Sequence, residues 1–281
     1  MTSILTNNGA MVALQTLQSV NNDLTDTQNQ ISTGKKVGTA SDNSAVWAIS
    51  KTMEADIAGF EAISEGLAVG EATVAVASAG AEQIVVKLTE MKELMVSAQS
   101  ENVDHVKIQA DITKKTEQIT AIISAAQFNG ANLLSDDVDG NGATELGILA
   151  SLDRSGATGA PTAVEITVDS VDYVTNLDVA GLTSISDSTT AAAALGELEL
   201  LMIIAIDGAA QLGADSARIS DQGEFVGKLT DAMKMGVSAM TDTNMEEASA
   251  RLKALQTQQQ LAVQSLSIAN SAPSSLMSLF R

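Results

Sequence analysis

Both ends of this 281-residue chain carry the same hydrophobic rhythm. Near the N-terminus, Ala10, Ala13, Leu17, Val20, Leu24, Thr27 and Ile31 fall alternately three and four residues apart. Near the C-terminus, Met245, Ala248, Leu252, Leu255, Gln259, Ala262, Leu266 and Ala269 do the same. This spacing puts a narrow seam on one face of a helix. The remaining faces offer Asn, Gln, Thr and Ser where a solvated coiled coil would carry charge. Thr243-Asn244-Met245-Glu246 reads as a capping box, in which a Thr hydroxyl and a Glu three residues on satisfy free helix amides. The two termini are therefore expected to be helices lying side by side.

Charge separates these ends from the middle. The formal net charge is −20. Residues 1–50 contribute −1 and residues 240–281 contribute nothing, so −19 resides between them. Nearly uncharged, amide-rich ends can pack against copies of themselves without concentrating like charge, while an acidic middle faces water. The same charge repels phosphate backbones and anionic headgroups, and no basic patch offsets it, which points away from nucleic acid and membrane surfaces. Without cysteine there is no disulfide, thiolate metal site or cysteine nucleophile. The N-terminus lacks the basic and apolar regions of a cleavable signal peptide. No apolar stretch reaches the roughly 18 residues of a membrane helix, the best being Leu200 to Ile206. Read alone, these features suggest a soluble cytoplasmic chain.

Between the ends, a helix is expected over residues 42–65, capped by Asp42 and Asn43, with Val46, Ile49, Met53, Ile57 and Phe60 on its apolar face. The pattern continues through Gly66, Gly70 and Gly80 to Ala98. A second helix runs from about Asp104 to Phe128, ending at Asn129-Gly130. From Leu134 to about Thr190, Gly, Asp, Ser and Thr rise, and Val164-Glu165-Ile166-Thr167-Val168 alternates as a strand does. A third long amphipathic segment begins at Ala191, with Leu195, Leu198, Met202, Ile206, Leu212, Ile219, Phe225, Val226 and Leu229. The fold class is thus mainly α: a long antiparallel helical bundle or coiled coil built from both termini, with a small β-rich insert.

Chemistry is sparse. His105, the single histidine, has polar neighbours and reads as solvated near a helix start. Asp137-Val138-Asp139-Gly140-Asn141-Gly142 matches the opening of a calcium-binding EF-hand loop, but its twelfth position is Ile148 where a bidentate Glu is needed. It reads as a solvated turn. No phosphate-cradling loop or nucleophile elbow occurs. Trp47 and the methionines Met91, Met95, Met233, Met235 and Met240 read as packing residues. No enzyme activity, cofactor or metal is expected.

Three separated motifs carry a family resemblance. Ile31-Ser32-Thr33-Gly34-Lys35-Lys36-Val37, followed by Ser41-Asp42-Asn43-Ser44-Ala45-Val46-Trp47-Ala48-Ile49, is similar to the N-terminal signature of bacterial flagellins. Gln127-Phe128-Asn129-Gly130-Ala131-Asn132-Leu133-Leu134 resembles the motif closing their first inner-domain helix pair. The tail from Gln260 to Arg281 resembles their C-terminus. The matches span about 1–134 and 190–281, with an alphaproteobacterial cast.

The resemblance implies a compact filament subunit that self-polymerises for motility. It is exported unfolded through the flagellar type III apparatus, so the absent signal peptide reflects another route out of the cell, and it works outside the cell. Implied segments are 1–41 and 239–281 as the coiled coil of the inner tube, 42–134 and 191–238 as inner-domain helices, and 135–190 as an exposed insert. The terminal helices would order only on assembly. Implied partners are the chain itself, sister flagellins, the cap, hook-junction proteins and an export chaperone, with no nucleic acid and no membrane. The inner contacts are expected at Leu14, Leu17, Leu24 and Ile31 at one end, and at Leu252, Leu255, Leu266, Ile268, Leu279 and Phe280 at the other.

Many flagellins also carry an Arg-x-Arg-Glu-Leu-like stretch that a vertebrate Toll-like receptor recognises. The matching residues here are Glu90, Lys92, Glu93 and Leu94, so one charge is reversed and a bidentate donor is lost. Weak or absent receptor activation is expected. Thr183, Ser184, Ser186, Ser188, Thr189 and Thr190 could accept O-linked sugars, though a plain hydrophilic loop fits them better. The alternative roles are a hook-filament junction or adaptor protein and a secreted enzyme on a flagellin scaffold. An insert of about 55 residues without His, Cys or a metal cluster argues against the enzyme.

Overall fold

The computed structural model describes residues 7–153 and 162–279, with side chains of the last helix described as far as Ser271. Its elements are α1 (Asn8–Thr33), α2 (Ser44–Ser97), α3 (His105–Ala125), β1 (Glu145–Asp153), β2 (Thr162–Asp169), α4 (Tyr173–Asn176), α5 (Ser188–Thr241) and α6 (Met245–Leu279). The chain divides into two compact units, residues 1–57 with 232–281 and residues 58–231.

In the first unit α1 and α6 pair along the expected seams. Asn7 caps α1 by accepting from the Ala10 amide at 3.1 Å. Every seam position of α1 from Ala10 to Ile31 is buried or half-buried, as is every one of α6 from Ala248 to Ala269; only Met245 is exposed. Thr27 tolerates burial because its hydroxyl donates to the Asp23 carbonyl one turn back, at 2.7 Å. The pair is antiparallel. Asn7 Nδ2 donates to the Ala269 carbonyl at 2.7 Å, Gln259 Nε2 to Asn21 Oδ1 at 2.8 Å, and Lys35 bridges Asp242 through the backbone.

Gly34 ends α1 in the left-handed conformation, φ 71°, which a side chain resists. The exit is then fastened by three backbone bonds: Lys36 and Val37 donate to the Thr241 carbonyl, and Thr243 donates to that of Gly34. Asp42 does not cap α2. Its Oδ2 accepts from the Gly38 and Thr39 amides, which holds its carboxyl below the usual range, and Asn43 is the cap, accepting from Val46 at 3.1 Å. Trp47 is half-buried and Ile49 is exposed on α2. The capping box at α6 does not form. Asn244 caps the helix by accepting from the Glu246 and Glu247 amides, and the Thr243 hydroxyl is buried without a hydrogen-bond partner.

The second unit rests on two strict heptad seams. In α2 the buried positions Phe60, Leu67, Val74, Ala81, Leu88 and Met95 recur every seven residues, interleaved with Ile63, Gly70, Ala77, Ile84 and Met91. In α5, Ala191, Leu198, Ala205, Leu212, Ile219 and Val226 recur likewise, all without solvent exposure. A repeat of seven held this long imposes a left-handed supercoil. Each buried Leu or Ile contributes about 1.5–3 kcal/mol. Ile206 and Phe225, expected on the apolar face of α5, fall off this register and are about half exposed. The two helices run antiparallel. Lys92 pairs with Glu199 at 2.6 Å, and further along β1 touches Gly70 of α2 and Gln222 of α5.

The β insert is one antiparallel hairpin, β1 against β2, with Ile148 opposite Ile166 and Leu146 opposite Val168. Ile148 and Ala150, two residues apart and so on one face of β1, both turn inward; a bulge shifts the register between Leu149 and Ser151, and the Ala150 carbonyl accepts from Gln222 Nε2 at 2.8 Å. The next helical turn, α4, buries Tyr173, whose hydroxyl donates to the Ala205 carbonyl at 2.6 Å. Burial pushes that phenol up to about 12.

α3 ends at Ala125, three residues earlier than expected. Asn129 and Gly130 form the tip of a tight turn, both with positive φ, closed by reciprocal 2.9 Å bonds between Phe128 and Ala131. α5 starts at Ser188, three residues before the expected position. Windows within α2 and α5 reach mean hydropathies of 1.2 and 1.7, enough by length and composition for a membrane span. Counting uninterrupted apolar runs missed them, because isolated polar residues break each run without lowering its average much.

Candidate assembly surface

The surface that stands out is the outer face of the α1–α6 pair. Residues 7–22 and 254–280 contain no charged side chain, in a chain of net charge −20. Helix geometry sorts the expected contact residues into two sets. Leu17, Leu24 and Ile31 of α1 and Leu252, Leu255 and Leu266 of α6 lie in the seam, half-buried except Leu255, which is buried. Leu14 and Ile268 point outward, 55% and 70% exposed. Leu279 ends α6, its side chain beyond the described ones, and Phe280 lies outside the described residues.

Sequence reading missed four further outward residues: Met11, Val12, Leu261 and Val263, each more than half exposed. The signal for them was present. They occupy positions flanking the seam or opposite it, where a solvated coiled coil would carry charge. Between the helices on one flank lies an open groove of about 640 Å³, lined by Gly9, Val12, Ala13, Thr16 and Val20 of α1 and by Gln258, Leu261, Ala262, Ser265 and Ala269 of α6. Apolar atoms held in water on two adjacent helices make a surface whose burial would be favourable.

Titratable groups elsewhere are engaged locally. Glu90 accepts from Lys87 at 2.8 Å on its own helix and from Lys115 of α3, and these lysines hold its carboxyl low. Lys92 is taken by Glu199, Leu94 is half-buried, and Glu93 is exposed. Met91 and Met95 are buried beneath this stretch, whereas Met235 is 68% exposed and does not pack. Asp215, in the seam register of α5, is pushed up by burial and by Asp169, against the pull of Arg218.

His105 is half-buried and hydrogen-bonded through Nε2 to the Ala98 carbonyl at 2.9 Å, rather than solvated. The Asp137–Gly142 loop folds on itself: Asp137 accepts from the Gly142 amide, and Asp139 from the amides of Asn141 and Ala143. Among the described residues no group of three or more acidic or histidine side chains could hold a metal ion. Thr183 is bonded to Glu197 through both its amide and its hydroxyl, and the Thr190 hydroxyl is bonded to Asp187.

Comparison with known proteins accounts for this architecture. Residues 4–139 match the bacterial flagellin N-terminal helical region, and residues 203–280 match the bacterial flagellin C-terminal helical region. Flagellin FljM of Caulobacter vibrioides is 39% identical over 285 residues, covering 99% of this chain and 98% of the relative. A flagellin of Brucella melitensis is 38% identical over 286 residues, spanning both chains completely. Flagellin C of Rhizobium meliloti is 35% identical over 322 residues, again spanning both. A helical pair built from the two ends of the chain, two long heptad helices and a small hairpin are thus the form taken here by a bacterial flagellin, the family to which this chain belongs.

Proposed function

We propose that this chain is the structural subunit of a flagellar filament, polymerising through its terminal helices. The observation that carries the reading is the charge-free stretch of the α1–α6 pair, residues 7–22 and 254–280, with Leu14 and Ile268 turned to solvent. In this reading residues 1–41 and 239–281 form the inner tube, residues 42–134 and 191–238 the surrounding helical shell, and residues 135–190 the outer surface. Each terminal helix alone has too narrow a seam to offset the entropy of ordering it, so ordering and association are coupled. The subunit leaves the cell unfolded through the flagellar type III apparatus, handed on by a chaperone, and assembles under a cap beyond the hook-junction proteins. Its role is structural and involves no catalysis. The apolar windows of α2 and α5 serve helix packing and contacts between copies, not a membrane.

The test is electron microscopy of the purified full-length chain after salt-induced polymerisation. Tubular filaments are expected. Their absence under conditions that polymerise a related flagellin would favour a junction or adaptor protein.

A further inference from the structure

The two flanks of the α1–α6 pair differ in shape. In an antiparallel pair the same flanking positions of both helices meet on one side. On one flank lies the groove, its lining including Gly9, Thr16 and Ser265 as well as Val12 and Leu261. On the other flank stand Met11 and Leu14 of α1 and Val263 of α6, 62%, 55% and 52% exposed, none of them lining the groove. One flank is concave and the other is a ridge. Within residues 7–22 and 254–280 neither bears a charge, so a second copy meets no repulsion there despite its own −20.

We propose that these flanks are the two halves of one head-to-tail interface, the ridge of one copy seating in the groove of the next. This rests on the filament reading and specifies its geometry. A contact between unlike patches does not close on itself in a pair; it propagates, as a helical polymer requires, whereas like-on-like contact of either flank would stop at a dimer. The partner is a second copy of this chain. Six of the ten lining residues, Gly9, Ala13, Thr16, Ala262, Ser265 and Ala269, have short side chains, which leaves room for the longer Met and Leu side chains that the opposite flank supplies.

The chain has no cysteine, so engineered thiols report without background. Leu14→Cys marks the ridge, and Thr16→Cys or Ser265→Cys marks the groove; all three positions are exposed, so the fold tolerates them. Full-length chains are polymerised, oxidised and run on a non-reducing denaturing gel. The doubles Leu14→Cys with Thr16→Cys and Leu14→Cys with Ser265→Cys are expected to give, in at least one case, a ladder of covalent multimers beyond the dimer. Each single variant is expected to give none, because a disulfide needs Cα atoms within about 7 Å. Covalent dimers from Leu14→Cys alone, or filaments of both doubles without a ladder, would overturn the ridge-and-groove contact and leave the filament reading standing. Failure of the unsubstituted chain to form filaments would defeat that reading itself.

Discussion

Gly70 of α2 and Ile148 of β1 compete for one space: a Cβ on residue 70 would fall among the Ile148 side-chain atoms, closer than such atoms approach in folded proteins. Gly208 of α5 stands in the same relation to Val171 and Tyr173. Both glycines occupy seam positions, so the heptads are hollowed where the insert presses in. Gly70→Ala is expected to destabilise the second unit by about 1–3 kcal/mol through overpacking. Thermal unfolding checks this, and an unchanged melting temperature would contradict it.

Thr243 offers the opposite change. Its hydroxyl is buried without a partner while Asn244 does the capping. Thr243→Val keeps the shape and removes the orphaned group, so a gain of about 1 kcal/mol is expected from the desolvation term. Denaturant titration measures it; destabilisation would mean the hydroxyl has a role in the turn.

Asp215 gives a pH-dependent test. Its pKa is raised in the fold, chiefly by burial. The unfolded chain therefore ionises first, and the penalty is complete above the folded pKa and absent below the unfolded one. Asp215→Asn is expected to raise the melting temperature at pH 7, with the difference vanishing near pH 3. An equal gain at both values would trace the effect to something other than ionisation.

Deleting about the last 30 residues removes the whole charge-free part of α6 and with it one wall of the groove. A folded monomer that does not polymerise is expected, judged by circular dichroism and sedimentation. Filament growth from the truncated chain would rule out the terminal pair as the assembly element.

Glu90 and Lys92 are engaged in ion pairs with Lys87, Lys115 and Glu199. Weak or absent activation of the Toll-like receptor is expected in reporter cells. A response equal to that of an enteric flagellin would refute this.

The terminal seams were legible because three-four spacing is unambiguous when the other faces are polar amides. The heptads of α2 and α5 were not, since Gly70, Gly208, Asp215 and Gln222 fill seam positions that the hydrophobic pattern expects to be apolar. β1 was hidden because Leu149, on the face away from Ile148 and Ala150, is as apolar as they are, which spoils the alternation. The capping error arose because Thr243 and Asn244 are adjacent potential caps, and only the backbone decides between them. As for the assembly residues, spacing alone could not separate those spent on the partner helix, such as Leu17 and Leu255, from those left outward, such as Leu14 and Ile268.

The single tryptophan and the single tyrosine fall in different units, Trp47 in the first and Tyr173 in the second. Each unit thus carries its own native chromophore. Indole fluorescence follows the terminal unit and phenol absorbance follows the unit with the hairpin, so the order in which they melt can be read from an unlabelled chain.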